Sequence, residues 1–185
     1  MAHRSTVVIL NGVGSVGKSS IARALQAISR HALLHVQMDA FLDMLPERLQ
    51  DDPATFHFVN ETEASAPSVR IDVGPVGTRL MSGMRAAIAA LADAGNSLVV
   101  DEVMLGGEVG EYRRLLSGHA LYLVGVHAPL EIIEERERVR GDRMIGLARW
   151  QFDKVHRGIA YDMEISSADE TAASCAVRIR DAFDL

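Results

Sequence analysis

The sequence predicts an α/β fold: a doubly wound, parallel, five-stranded sheet. Three observations carry this. Short apolar, β-branched runs alternate with stretches of helical periodicity along the chain, and that alternation implies parallel strands covered by helices on both faces. Between the first strand and the first helix stands Gly12-Val13-Gly14-Ser15-Val16-Gly17-Lys18-Ser19, a glycine loop whose proper setting is a strand-to-helix turn. The 185 residues are 48% hydrophobic, enough for one substantial core.

The elements follow in order. Thr6-Val7-Val8-Ile9-Leu10 reads as a buried strand over 6–10, and Ile21, Leu25 and Ile28 mark a helix over 18–29. A strand over 33–38 and a helix over 40–49 come next. The stretch 46–77 is the least regular, with Pro53, Pro67, Pro75, Gly74 and Gly77. A loop of that length inside a compact domain is a lid or binding segment, or else a plain surface excursion. A helix over 77–94 stops at Ala94-Gly95-Asn96 before a strand over 97–101. A helix over 108–117 and a strand over 120–126 follow. Ala128-Pro129 opens a helix over 129–140. The chain closes with a helix over 145–158, a weak strand over 161–166 and a helix over 169–183. No repeat or linker breaks it, so residues 1–185 are expected to form one domain, with a substrate-side segment at 46–77 and a lid at 140–147.

Composition narrows the function. The net charge is −6 and no long basic run occurs, which argues against a nucleic-acid binder working by phosphate neutralisation. A single cysteine, Cys175, leaves no internal disulfide and no multi-cysteine metal site. Its helical surroundings suit a small buried hydrophobe. No secretory signal and no membrane-spanning apolar run is present, so a soluble cytoplasmic protein without a membrane partner is expected. Self-association is left open.

The glycine loop carries the chemistry. Glycines at 12, 14 and 17 are expected to allow backbone angles that other residues resist. Successive amides from Gly12 through Val13, Gly14, Ser15, Val16 and Gly17 to Lys18, Ser19 and Ser20 can then surround an anion, helped by the positive end of the following helix. Lys18 is expected to reach the β- and γ-phosphates of ATP and the Ser19 hydroxyl to bind Mg²⁺.

Ligands in such sheets bind beyond the carboxyl ends of the strands. Asp101 follows Ser97-Leu98-Val99-Val100, the position of a carboxylate that holds Mg²⁺ directly or through water; helix capping is the competing role. Asp39 follows the second strand. It either orients an acceptor hydroxyl and takes its proton or caps the helix after it, and the pattern alone does not separate the two. Arg140-Gly141-Asp142-Arg143-Met144-Ile145-Gly146 sets Arg140 and Arg143 beside helix-breaking glycines at 141 and 146. A mobile arginine segment there would neutralise transition-state charge; an ordinary surface turn is the alternative. The histidines show no metal-ligand spacing, and none is assigned to chemistry.

These blocks together resemble the chloramphenicol phosphotransferase family of phosphate-loop kinases. The resemblance runs from Val8-Ile9-Leu10-Asn11-Gly12 and Gly17-Lys18-Ser19 through Asp39-Ala40-Phe41 and Met44-Leu45-Pro46. It continues through Asp101-Glu102-Val103-Met104-Leu105-Gly106-Gly107, Val124-Gly125-Val126, Arg140-Gly141-Asp142-Arg143, His156-Arg157-Gly158 and Tyr161-Asp162. It implies a P-loop NTPase fold of the nucleoside-monophosphate-kinase-like type. It also implies ATP-dependent phosphorylation of a hydroxyl on a small amphipathic antibiotic, with Asp39 as the catalytic carboxylate and Arg140 and Arg143 as lid arginines. The loop interior Val13–Val16 and the segment 50–76 depart from the family pattern. A kinase for another metabolite class and an ATP-binding regulatory switch are the competing readings.

Overall fold

The computed structural model describes residues 4–61, 66–141 and 144–185. The elements in chain order are β1 (Thr6–Asn11), α1 (Lys18–Ile28), β2 (Leu33–Gln37), α2 (Met38–Leu42), a 3₁₀ turn (Glu47–Leu49), β3 (Phe56–Asn60), β4 (Val69–Val73) and α3 (Pro75–Asp93). Then come β5 (Ser97–Glu102), α4 (Glu108–Leu115), β6 (Ala120–His127), α5 (Leu130–Arg140), α6 (Leu147–Phe152), β7 (Met163–Ser166) and α7 (Ala172–Phe183). Five strands form one parallel sheet in the order β2-β5-β1-β6-β7. β3 and β4 form a separate antiparallel hairpin.

β1 shows why the central strands are apolar at every position. Val8 and Leu10 pack into a core that includes Ile21 and Leu25 of α1 and Cys175 and Ile179 of α7. Val7 and Ile9 face the other way, into a core with Met84 and Ile88 of α3 and Tyr112 of α4. Both faces are buried, so the period-two alternation of a half-exposed strand is absent. The strand order reverses at β1, because β5 and β6 flank it, and the glycine loop leaves β1 at that switch point. Cys175 is buried as expected.

Three expectations need correction. The helix expected over 40–49 is α2 alone, ending at Leu42, with a 3₁₀ turn after Pro46; proline removes a helical amide and restricts the residue before it. The helix expected over 145–158 ends at Phe152, followed by turns up to Gly158 at φ +72°. The irregular 46–77 stretch contains the β3–β4 hairpin and the start of α3. Its glycines serve close approach: a Cβ on Gly74 would lie 2.1 Å from the Pro53 carbonyl oxygen, and one on Gly77 2.5 Å from that of Thr55.

Candidate active site

β1 ends in Asn11, fully buried and hydrogen-bonded on three sides. Its Nδ2 donates to the Val155 carbonyl at 2.8 Å and to the Tyr161 hydroxyl at 2.7 Å, and its Oδ1 accepts from Met104 N at 2.7 Å. The loop therefore starts from a point tied to two other loops. Gly12 permits packing rather than an unusual backbone angle: a Cβ there would lie 2.6 Å from the Val126 carbonyl oxygen and 2.9 Å from Val16 Cγ1. Gly17 holds the left-handed conformation, φ +105°, at the N-terminus of α1. Gly14 does neither, which corrects the expectation of three conformationally necessary glycines; Ser15, φ +62°, makes the second left-handed bend.

Val13 and Val16 point into the core beneath the loop. Gly14, Ser15, Gly17, Lys18, Ser19 and Ser20 line the cleft above it. Lys18 Nζ donates to the Gly12 and Val13 carbonyls at 2.8 and 2.9 Å and lies 3.8 Å from Asp101 Oδ1. Gly14 N donates to Gln151 Oε1 of α6 at 2.9 Å. Ser15 Oγ is buried and has no hydrogen-bond partner among the described residues. Buried polar atoms are rarely left unsatisfied. An orphan hydroxyl beside a lysine at a helix N-terminus therefore fits a phosphate acceptor.

Asp101 sits at the end of β5, not at a helix cap; the N-cap of α4 is Gly107. Its Oδ2 accepts from the Ser19 hydroxyl. A serine hydroxyl paired with a carboxylate is an all-oxygen donor set. It suits Mg²⁺, which keeps several waters and draws its remaining ligands from substrate phosphates. No cluster of three or more His, Cys, Asp or Glu side chains poised for a metal occurs among the described residues.

Glu102, the next residue, points to the opposite face of the sheet. It accepts from the Tyr112 hydroxyl and lies 3.7 Å from Arg85 Nη1. Burial pushes its carboxyl up to about 7, against the Tyr112 hydrogen bond and the Arg85 charge. Burial and the Glu102 charge push the Tyr112 phenol up in turn.

Asp39 lies in the first turn of α2, whose N-cap is Gln37, so the capping role does not apply. It lines the same cleft of ≈ 1190 Å³ as Lys18, Ser19 and Asp101. Arg140, the last residue of α5, also lines it. Arg143 falls outside the described residues. The far end of the cleft is walled by Met38, Leu42, Leu45, Phe56, Phe58 and Val103, with Gln37, Gln50 and Asp43 among them.

Several site residues carry little sequence signal. Arg136 of α5 donates to the Val16 carbonyl at 3.3 Å and to the Ser167 carbonyl at 2.8 Å, clasping the glycine loop to the turn after β7. In sequence it is one charge in a charged helix. Glu137, 2% exposed, accepts from Gly146 N at 2.8 Å and Ala148 N at 2.9 Å, so α5 holds the start of α6. Gly146 O in turn accepts from Val69 N of the hairpin at 3.1 Å. His156 stacks on His127 at 3.9 Å and bonds the Tyr161 hydroxyl at 2.7 Å. Burial, then the charges of His127 and Lys18, lower its pKa to about 4. His156 thus reaches Asn11 through the Tyr161 hydroxyl that both of them bond.

Comparison with known proteins places the fold and the family. Solved structures that share the fold include an APS kinase from Mycobacterium tuberculosis in complex with AMPPNP and APS (16% identity, TM-score 0.64, 98% of this chain and 99% of that one). They also include a gluconokinase from Sinorhizobium meliloti (18%, TM-score 0.58, 99% and 97%) and a shikimate kinase from Acinetobacter baumannii in complex with shikimate (15%, TM-score 0.56, 98% and 94%). The fold is that of the P-loop kinases. A Mycobacterium tuberculosis protein provisionally named O-phosphotransferase is 27% identical over 183 residues, 96% of this chain and 81% of its own length. The family described as chloramphenicol phosphotransferase-like protein matches residues 5–184, and the chain belongs to that family of kinase-like phosphotransferases.

Proposed function

We propose that this protein is an ATP-dependent kinase that phosphorylates a hydroxyl of a small amphipathic molecule. One observation carries the reading. Lys18, Ser19, Asp101 and Asp39 line a single cleft whose far wall is apolar and aromatic. Loop amides and Lys18 hold the β- and γ-phosphates, and Ser19 and Asp101 hold Mg²⁺. Mg²⁺ held there would supply positive charge to offset that of the phosphates. Asp39 orients the acceptor hydroxyl. As the acceptor oxygen bonds to the γ-phosphorus and the bond to the β-phosphate oxygen of ADP breaks, the hydroxyl proton passes to the Asp39 carboxylate. Arg140, with Arg143 from the lid at 140–147, offsets charge on the transferring group. The substrate-side segment at 46–77 contributes the acceptor wall through Phe56 and Phe58.

The lining also selects the acceptor. Among the described residues the cations along the cleft are Lys18, Arg23, Arg136 and Arg140, all on α1 or α5. None comes from the acceptor wall, where Asp39 and Asp43 lie instead. A carboxylated or phosphorylated acceptor would be brought toward the Asp43 carboxylate among apolar side chains, which is costly in a partly desolvated site. An uncharged, partly aromatic alcohol of the chloramphenicol type fits. Phosphorylating such an antibiotic in the cytoplasm would be a resistance reaction.

The test is mass spectrometry of a panel of hydroxylated compounds, chloramphenicol included, after incubation with ATP and Mg²⁺. The expected result is a phosphate adduct on an uncharged alcohol. Asp39→Asn should lower turnover by about 10²- to 10⁴-fold with ATP affinity retained. Full turnover in Asp39→Ala would remove the role given to that carboxylate. ATP hydrolysis with no acceptor phosphorylated would favour a regulatory switch.

A further inference from the structure

Beside the proposed metal ligands lies a side chain that the mechanism above does not use. His35 occupies the edge strand β2, where it pairs in register with Val99, two residues before Asp101. Strand alternation puts Leu33, His35 and Gln37 on the face covered by α1, together with Val99 and Asp101 of β5. The imidazole is 9% exposed. Its Nε2 points at Asp101, 3.9 Å from Oδ2, and has no hydrogen-bond partner among the described residues. Its Nδ1 faces Gln37 Nε2 at 3.5 Å. An amide N–H directed at Nδ1 makes that nitrogen the acceptor and leaves the ring hydrogen on Nε2, toward the carboxylate.

A buried N–H without an acceptor is unfavourable. The nearest acidic acceptor is the same Oδ2 that takes the Ser19 hydrogen bond. A carboxylate oxygen has two lone pairs and accepts both donors. A rotation that brings Nε2 closer by about 1 Å completes a normal hydrogen bond.

We propose that His35 is a positioning residue for magnesium: its Nε2–H holds the Asp101 carboxylate alongside the Ser19 hydroxyl, with Gln37 fixing the imidazole. This rests on the kinase reading of the site. Groups that orient a metal's ligands in this way commonly govern its affinity, and losing one weakens binding by about 10- to 100-fold.

The test separates a donor from a space-filling ring. His35→Phe keeps the volume and removes the N–H. His35→Gln puts an amide N–H near the position of Nε2. The readout is the Mg²⁺ concentration that half-saturates the ATP-induced rise in Tm, measured alongside Tm without ligands and kcat at saturating Mg²⁺. His35→Phe should need roughly tenfold more Mg²⁺, and His35→Gln should return to within about twofold of wild type. Should the Phe variant not fold, His35→Asn, whose amide stops short of Oδ2, should show the same increase. Unchanged Mg²⁺ half-saturation in the folded Phe or Asn variant overturns the inference alone, as does an equal rise in the Gln variant. Wild-type protein whose ATP binding ignores Mg²⁺ overturns the kinase reading and this inference with it.

Discussion

Replacing Glu102 with Gln should change how stability depends on pH, in a direction set by burial. Glu102 is 2% exposed, and its carboxyl is raised from 4.5 to about 7. Burial is the main cause; the Tyr112 hydrogen bond and the Arg85 charge oppose it, while Glu108 and Glu111 add to it. Below pH 4.5 the group carries its proton in both folded and unfolded chains, and the buried carboxyl imposes no penalty. Between 4.5 and about 7 the unfolded chain releases its proton first, so stability falls as pH rises. Above about 7 the penalty is complete and constant. The gap corresponds to about 3 kcal/mol. A Gln side chain has nearly the same shape and never ionises. Urea unfolding from pH 4.5 to 8, without nucleotide or magnesium, should show the Gln variant gaining about 3 kcal/mol relative to wild type across that window. With a urea m-value of about 2 kcal/mol/M, the midpoint moves by roughly 1.5 M. Parallel pH curves for the two proteins would show that Arg85 and Tyr112, not burial, set the charge state of Glu102.

Three further substitutions probe the scaffold. Gly12→Ala forces a Cβ to 2.6 Å from a backbone carbonyl and should destabilise by about 2–3 kcal/mol. Gly14→Ala meets only the Gln151 side chain at 3.5 Å and should stay within about 0.5 kcal/mol; equal costs in urea unfolding would contradict the distinct roles given to these glycines. Glu137→Ala strands the Gly146 and Ala148 amides and should lose about 3 kcal/mol, with hydrogen exchange at those two amides accelerating more than in β1.

The sequence made most of the sheet legible because burial on two faces leaves an unmistakable run of apolar residues. The five parallel strands fall where the runs are. The hairpin was not legible, for a specific reason. Phe56-His57-Phe58-Val59-Asn60 alternates over only its first three residues, and its partner β4 lies beyond a linker containing Pro67. Prolines and glycines nearby signal irregularity, yet Gly74 and Gly77 mark contacts between the hairpin's base and α3. A glycine required for close approach looks in sequence the same as one required for a turn, and only the neighbouring backbone separates the two.

Asp101 and Glu102 show the same limit at the site itself. Both are acids at the end of one strand, one residue apart, and strand-end logic selects them equally. The pleat turns one toward α1 and the other toward α3 and α4. Asp101 thereby meets the Ser19 hydroxyl and the Lys18 ammonium in the cleft, while Glu102 meets a tyrosine and an arginine in the core. The first surroundings suit a group that must face metal and phosphate. The second suit a group that joins α3 and α4 to the end of β5. The same pleat, carried across the sheet by the pairing of Gln37 with Asp101 and His35 with Val99, brings His35 to the Asp101 side. Residue type and spacing locate the end of the strand, but the chemistry of each acid follows from which helices cover the face it enters.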